Sequence, residues 1–97
     1  MLGRKPVSRE LDGASLAEAM EALLRQGFVE HDVGDGYALL KKPGTSLTTK
    51  AHRYALEAAL TEKDGSVQLQ VGYDAFVAFD SGDLDTEADR IVRVIHG

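Results

Sequence analysis

Apolar and polar residues alternate along residues 67–79, where every second side chain is apolar. The apolar positions are Val67, Leu69, Val71, Tyr73, Ala75, Val77 and Phe79. Because successive side chains of a strand point to opposite faces, this period of two predicts a strand with one buried face. A straight strand of that length would span about 40 Å, so we expect a bend, for which Gly72 is the natural place. The pattern therefore predicts a curved sheet with something packed in its concave side.

The first helix is predicted by its start signal and by its apolar stripe. Ser15, followed three residues later by Glu18, forms a capping box in which each side chain binds a backbone N–H at the start of a helix. The helix should run from Leu16 to about Gln26, and Gly27 closes it because glycine accepts the left-handed conformation. Its predicted buried stripe consists of Leu16, Ala19, Met20, Leu23 and Leu24.

A second helix is predicted near the end of the chain, from Leu84 or Asp85 to Ile95. The apolar residues that share one face at helical spacing there are Leu84, Ala88, Ile91, Val92 and Ile95. Acidic residues come before Arg90 and Arg93, which matches the charges that the two ends of a helix favour.

Shorter strands are predicted at residues 7–11, 28–33 and 37–42, the last two as a hairpin. A two-residue type I′ turn at Asp35-Gly36 would place His31 opposite Leu40, among apolar neighbours. A longer turn would change these partners. In the type I′ register, the second face of the hairpin would carry Phe28, Tyr37 and Leu39.

Residues 51–61 carry two competing signals. Ala, Leu, Glu and Arg dominate the segment, which favours a helix by intrinsic propensity. As a strand, it places Tyr54, Leu56, Ala58 and Leu60 on one face, and a turn at residues 62–65 joins it to the long alternating stretch. We therefore predict a strand.

The predicted order is strand, helix, four strands and helix, in one α+β domain over residues 1–97. The domain is expected to be a curved antiparallel sheet of four or five strands that carries two helices. This order resembles that of the TATA-box-binding protein repeat and of the helix-grip proteins, in which a curved antiparallel sheet wraps a helix. The resemblance implies that arrangement, and it carries over no site residue and no activity.

Composition narrows the classes of protein and of partner. The chain has no cysteine, which excludes disulfides, thiolate metal sites and thiol catalysis, and a cytoplasmic protein is expected. Its apolar runs are far shorter than the roughly 20 residues that cross a bilayer, and residues 1–9 lack the apolar stretch of a signal peptide. A net charge of -5 argues against a nucleic acid partner.

Basic residues cluster in the middle of the chain. No acid occurs between Tyr37 and Arg53, where the basic residues are Lys41, Lys42, Lys50 and Arg53. These four form a candidate anion-binding patch, although ordinary solvated lysines at strand ends have the same pattern.

No combination of residues predicts a catalytic or metal site. The densest acidic group consists of Asp80, Asp83, Asp85, Glu87 and Asp89, which does not match an EF-hand loop and suits the start of a helix. The three histidines, His31, His52 and His96, lack the spacing of a zinc site. The sequence also lacks a nucleophile elbow and a phosphate-binding loop. We therefore predict no catalytic residue, no metal and no cofactor.

Phe76 interrupts the polar side of the long alternating stretch, with Ala78 beside it. Gln68, Gln70 and Asp74 would otherwise face solvent on that side. An apolar aromatic on an outer face needs a cover, which is the C-terminal helix, the N-terminal segment or a second molecule. Phe76 and Ala78 are therefore the candidate interface residues.

These features favour a non-enzymatic binding or protein-interaction module. It would associate with itself as a homodimer, or bind a protein partner, through the outer face near Phe76. The alternative is a domain that binds a small apolar ligand in a cavity between the sheet and the helices. An enzyme of another type is the least favoured of the three hypotheses.

Overall fold

The computed structural model describes residues 6–42, 55–73 and 83–96. Within these ranges the chain forms five strands and two helices, which confirms the predicted α+β class and element order. The strands are β1 (Val7–Leu11), β2 (Val29–Gly34), β3 (Tyr37–Lys42), β4 (Leu56–Lys63) and β5 (Ser66–Tyr73), and the helices are α1 (Leu16–Arg25) and α2 (Asp83–His96).

The five strands form one antiparallel sheet in the order β1-β5-β4-β3-β2. The sheet is not closed, so β1 and β2 are its edges. Helix α1 packs against β2, β3 and β4, and helix α2 packs against β1 and β5. Both helices contribute to one core cluster, so they lie on the same face of the sheet.

The core fills the space between that face and the two helices. Its largest fully buried side chains are Leu11, Leu23, Leu40, Leu56, Leu60, Leu69, Leu84, Ile91, Val67 and Val71. The predicted alternation is therefore confirmed along β5, and the strand prediction is confirmed for residues 56–61. Residues 51–54 and 74–79, on which the rest of these two predictions falls, lie outside the described residues.

Helix α1 begins with the predicted capping box. The Oγ of Ser15 accepts a hydrogen bond from the backbone N–H of Glu18 at 3.1 Å, and the N–H of Ser15 donates to Oε1 of Glu18 at 2.9 Å. After the helix, Gly27 has a φ of 97°, the left-handed conformation that glycine accepts without strain. The start and stop signals in the sequence therefore determine both ends of this helix.

Leu24 and Phe28 differ from their predicted positions. Leu24 is 41% exposed, whereas Ala22 is buried in its place. The buried arc of the helix is centred on Ala19 and Leu23, and Leu24 falls about 140° from Ala19, outside that arc. Phe28 precedes β2 instead of belonging to it, and its ring is buried in the core.

The β2–β3 hairpin departs from its predicted register at His31. Val33 lies opposite Ala38 as expected, but Leu40 lies opposite Glu30. His31 is the extra residue of a β-bulge, and its side chain is exposed. The prediction that it lies among apolar neighbours is wrong, because one extra residue shifts all earlier pairs by one position.

The φ angles of a type I′ turn occur in the other hairpin. Between β4 and β5, Asp64 and Gly65 have φ angles of 52° and 81°. Between β2 and β3, Gly36 has a φ of 77° but Asp35 is not left-handed, so this turn is not of type I′.

Candidate interaction surface

The second face of the sheet carries neither of the two described helices. We call this surface the open face, and its side chains alternate with the core residues along each strand. It consists of Ser8, Glu10, Val29, Asp32, Tyr37, Leu39, Lys41, Glu57, Ala59, Thr61, Lys63, Ser66, Gln68 and Gln70, with Gly34 and Gly72. Antiparallel sheets often leave one face exposed to solvent, so exposure alone does not indicate a binding surface. The residues on this face are the relevant evidence.

The strand registers place these side chains in rows across the sheet. One row contains Glu10, Gln68, Thr61, Tyr37 and Gly34, and the next contains Ser8, Gln70, Ala59, Leu39 and Asp32. Leu39 therefore lies directly opposite Ala59, and Tyr37 is its neighbour two residues along β3. We call these three residues the apolar patch. Tyr37 is 41% exposed, and the other two are half-buried.

The orientation of Tyr37 is set by its neighbours on β2. Its ring lies across Gly34, where a Cβ atom would overlap the ring carbons. Its hydroxyl donates to Oδ1 of Asp32 at 3.4 Å. The ring consequently lies towards the edge of the sheet, and glycine at position 34 provides the space that it occupies.

The charges of the open face nearly cancel. The open face has three acids, Glu10, Asp32 and Glu57, and two bases, Lys41 and Lys63, which sum to -1. The Nζ of Lys41 lies 3.7 Å from Oε2 of Glu57. Since the whole chain carries -5, most of the excess negative charge lies elsewhere.

One groove borders the open face at the ends of β4 and β5. It has a volume of about 350 Å³ and is lined by Glu10, Lys63, Asp64, Ser66 and Gln68. These polar side chains face solvent, and none belongs to the core. The groove is therefore a part of the polar margin of the open face.

A second groove, of about 360 Å³, lies on the helical side. It is lined by Gly13, Ala14, Glu18, Glu21, Arg25, Ile95 and His96. Glu21 pairs with Arg25 at 2.7 Å, and the hydrogen bond from the backbone N–H of Ser15 lowers the pKa of Glu18 below its ordinary value. The charged side chains of Glu18, Glu21 and Arg25 therefore already make contacts within α1 or with its N-cap residue.

Three acidic residues of α2 pair with arginines. Nε of Arg9, on the covered face of β1, donates to Oδ1 of Asp89 at 2.8 Å, and its Nη2 donates to Oδ1 of Asp85 at 3.4 Å. The first bond holds the pKa of Asp89 below its ordinary value and raises the pKa of Arg9. Glu87, only 4% exposed, accepts two hydrogen bonds from Arg90, whose pKa they raise.

These pairs account for three members of the predicted acidic group. Asp80 lies outside the described residues. Among the described residues, no group of three or more histidine, aspartate or glutamate side chains has the arrangement of a metal site. Asp85, Glu87 and Asp89 therefore act in this structure as partners of arginine.

The predicted site residues are only partly described. Phe76, Ala78, Lys50 and Arg53 lie outside the described residues. Lys41 lies on the open face, whereas Lys42 lies on the other face of β3, with its Nζ 5.7 Å from the centre of the Phe28 ring. The candidate patch and the candidate interface both remain predictions.

The apolar patch was not singled out from the sequence. Tyr37 and Leu39 were expected on the second face of the hairpin, but nothing indicated that Ala59 would lie beside them. The available signal was the pair of apolar residues on the polar side of β3. The register between β3 and β4 is needed to see that they meet a third.

No protein-family model matches the chain, and no curated protein is significantly similar to it. In the part of the chain that the structure describes, no helix is long and apolar enough to cross a membrane. The case for a function therefore depends on the open face itself.

Proposed function

We propose that this chain is a non-enzymatic protein-interaction module that binds a second copy of itself through the open face. The observation that supports the proposal is the apolar patch on a sheet face without a described helix. Interfaces between proteins have an apolar centre, depleted in charge, within a polar rim. The open face has that layout, with Tyr37, Leu39 and Ala59 bordered by charged residues such as Lys41 and Asp32 and by uncharged polar residues of β4 and β5.

The low charge of the open face supports a second copy as the partner. Two copies of a chain with a charge of -5 repel each other at long range. Their open faces, each with a charge of -1, bring little of that repulsion into contact. A strongly acidic face would instead favour a basic partner.

The size of the open face predicts a weak dimer. Strands β3 to β5 contain six to eight residues each. Five strands spaced by about 4.8 Å then give a face of about 20 Å by about 25 Å, or about 500 Å². Two such faces bury about 1,000 Å², the lower limit for a specific interface. We therefore expect reversible association that depends on concentration.

The packing of the described core favours surface recognition over the alternative of an internal apolar ligand. The side chains that would line a cavity between sheet and helices, such as Leu40, Leu60 and Ile91, have no exposed surface and pack in one cluster. At the margin of this core, Nε of Arg9 on β1 donates to Oδ1 of Asp89 on α2 at 2.8 Å. Both observations support a binding role for the outside of the molecule.

The substitution Leu39→Glu tests the proposal. A carboxylate in the apolar patch should weaken dimerisation at least about tenfold, because the charge would be buried without a partner. Sedimentation equilibrium over a range of concentrations measures the dissociation constant, and circular dichroism confirms that the variant is folded. Leu24→Glu is the matched control, since it puts the same charge at an exposed leucine on the helical side.

Two results would contradict the proposal. One is a wild-type chain that stays monomeric up to millimolar concentration. The other is a dimer that Leu24→Glu weakens as much as Leu39→Glu does.

The interface predicted from the sequence has its own test. Phe76→Glu should yield a monomer that remains folded by circular dichroism if Phe76 contributes to the same contact. Loss of folding would instead assign Phe76 to the core of the domain.

A further inference from the structure

We infer that the two copies pack about a twofold axis that crosses the strands at Leu60, so that Glu57 of each copy meets Lys63 of the other. The inference rests on the proposed function, because it specifies the arrangement of the dimer formed through the open face.

The registers define one row of residues that crosses the whole sheet. Leu60 lies opposite Leu69 on one side and Ala38 on the other, and the row continues to Arg9 and Val33 at the two edges. A twofold axis along this row exchanges the residues on its two sides. The two copies of β4 then run antiparallel to each other across the interface.

This axis brings opposite charges together. On β4, Glu57 and Lys63 lie three residues to either side of Leu60, so each faces the other residue of the second copy. On the edge strands, the acidic Glu10 faces Ser8 of the second copy, and Asp32 faces its Gly34. Each acid of the open face is thus opposed by a base or by an uncharged residue.

The apolar and amide residues also find suitable partners. On β3, Tyr37 faces Leu39 of the second copy, and on β5, Gln68 faces its Gln70. A pair of glutamine side chains matches amide donors with amide acceptors. The exposed Lys63 has no ion-pair partner among the described residues, and this arrangement supplies one.

The twist of the sheets leaves the charge pair within reach. Two sheets that pack face to face keep their strands within about 30° of each other. Glu57 and Lys63 lie about 10 Å from the axis, so a rotation of about 30° displaces them by about 5 Å. The long side chains of glutamate and lysine can span that displacement.

Twofold axes that run along the strands give poorer contacts. An axis over β4 would place Glu57 against itself and Lys63 against itself, and like charges across an interface are costly. An axis between β3 and β4 would leave β1 outside the contact. The buried area would then fall to about 800 Å², where non-specific contacts lie.

Charge reversal tests the arrangement. Lys63→Glu should weaken dimerisation about tenfold, because two symmetric pairs become like-charged at once. Glu57→Lys should weaken it as well, partly because the new lysine lies beside Lys41 of the same chain, and the double variant Lys63→Glu with Glu57→Lys should bind at least about threefold more tightly than either single variant. Sedimentation equilibrium at low salt measures the three dissociation constants.

Glu62→Lys is the matched control. It changes the net charge as Glu57→Lys does and lies on the same strand, but on the covered face, where it is exposed. It should leave the dissociation constant within about threefold of the wild type.

The outcomes separate the two claims. Suppose that the wild type dimerises and that Leu39→Glu disrupts the dimer. If the double variant then binds no more tightly than the single variants, the axis is overturned and the proposed function stands. A wild type that does not dimerise overturns both.

Discussion

The two faces of the sheet are built by the same five strands, and adjacent residues of one strand belong to environments that differ in almost every respect. Leu69 on β5 has no exposed surface, and its neighbour Gln70 faces solvent. On the covered face, leucines from four strands form one continuous core. On the open face, apolar residues are fewer, and three of them, Tyr37, Leu39 and Ala59, lie side by side. The fold therefore separates stability, on one side of the sheet, from recognition, on the other.

The separation has an energetic basis. Complete burial of a leucine or valine side chain stabilises a protein by about 1.5 to 3 kcal/mol, and nearly all such side chains of β4 and β5 lie on the covered face. The open face therefore contributes little to folding, and its residues are free to serve an interface. Three predictions test this contrast.

The largest effect is expected for the neighbours Leu69 and Gln70. Leu69→Ala should lower the free energy of unfolding by about 2 to 5 kcal/mol, because it leaves a cavity in the core. Gln70→Ala should change it by less than about 0.5 kcal/mol. Urea denaturation of the two variants measures both values. A loss above about 2 kcal/mol for Gln70→Ala would mean that the open face stabilises the monomer too.

A smaller effect is expected at two glycines, Gly34 on the open face and Gly36 in the turn next to it. Gly36→Ala should cost about 1 to 2 kcal/mol, because Gly36 has a φ of 77° and other residues are strained there. Gly34→Ala should cost less than about 1 kcal/mol, since the Tyr37 ring can rotate away from the added Cβ without a change of backbone. Denaturation curves give the stability, and proton NMR of the Tyr37 ring reports its position.

The two alanine variants differ in what they do to recognition. Gly34→Ala should displace the Tyr37 ring and weaken dimerisation. At Gly36 no atom lies within 4 Å of an added Cβ, so Gly36→Ala should leave the ring in place. An unmoved ring in Gly34→Ala would show that the position of Tyr37 does not depend on the space at Gly34.

The smallest effect is expected at the edge of the covered face, where Asp89 binds Arg9. Because the pKa of Asp89 is lowered in the folded state, its contribution to stability is complete above the unfolded pKa, near 3.9, and is lost as pH falls through the folded pKa. Asp89→Asn should therefore be less stable than the wild type at neutral pH, and the difference should vanish in acid. The effect is small because solvent screens this exposed pair.

Denaturation curves between pH 7 and pH 2 measure that difference. In an Arg9→Met background, Asp89→Asn should lose most of its effect at neutral pH, since the main partner is absent. A difference that stays constant from neutral to acid pH would rule out this ion pair as its source.

The sequence predicted the covered face more fully than the open one. The alternation along Leu56, Ala58 and Leu60, and along Val67, Leu69 and Val71, predicts that one face of each strand is buried. The packing of helices on one face of a sheet could therefore be predicted. The helix α1 was predicted from the capping box at Ser15, which is a local signal. These features need only neighbours in the chain.

The features that the sequence did not reveal depend on distant residues. The bulge at His31 comes from a hydrogen-bond register with β3, and no residue type encodes it uniquely. Ala22 is buried and Leu24 is exposed because the packing of α1 against the sheet and α2 determines which arc of the helix is buried. The apolar patch joins two strands that are separated by residues 43–55, so periodicity within either strand could not show it.

The bulge at His31 also bears on how large an assembly this chain can build. A regular edge strand offers a ladder of N–H and C=O groups on which further copies can add, one after another, into a fibre. The extra residue interrupts that ladder on β2, so growth along this edge is hindered. A contact made by open faces about a twofold axis is closed, because each copy uses the same surface once. We therefore expect association to stop at two copies, without filaments, even at high concentration.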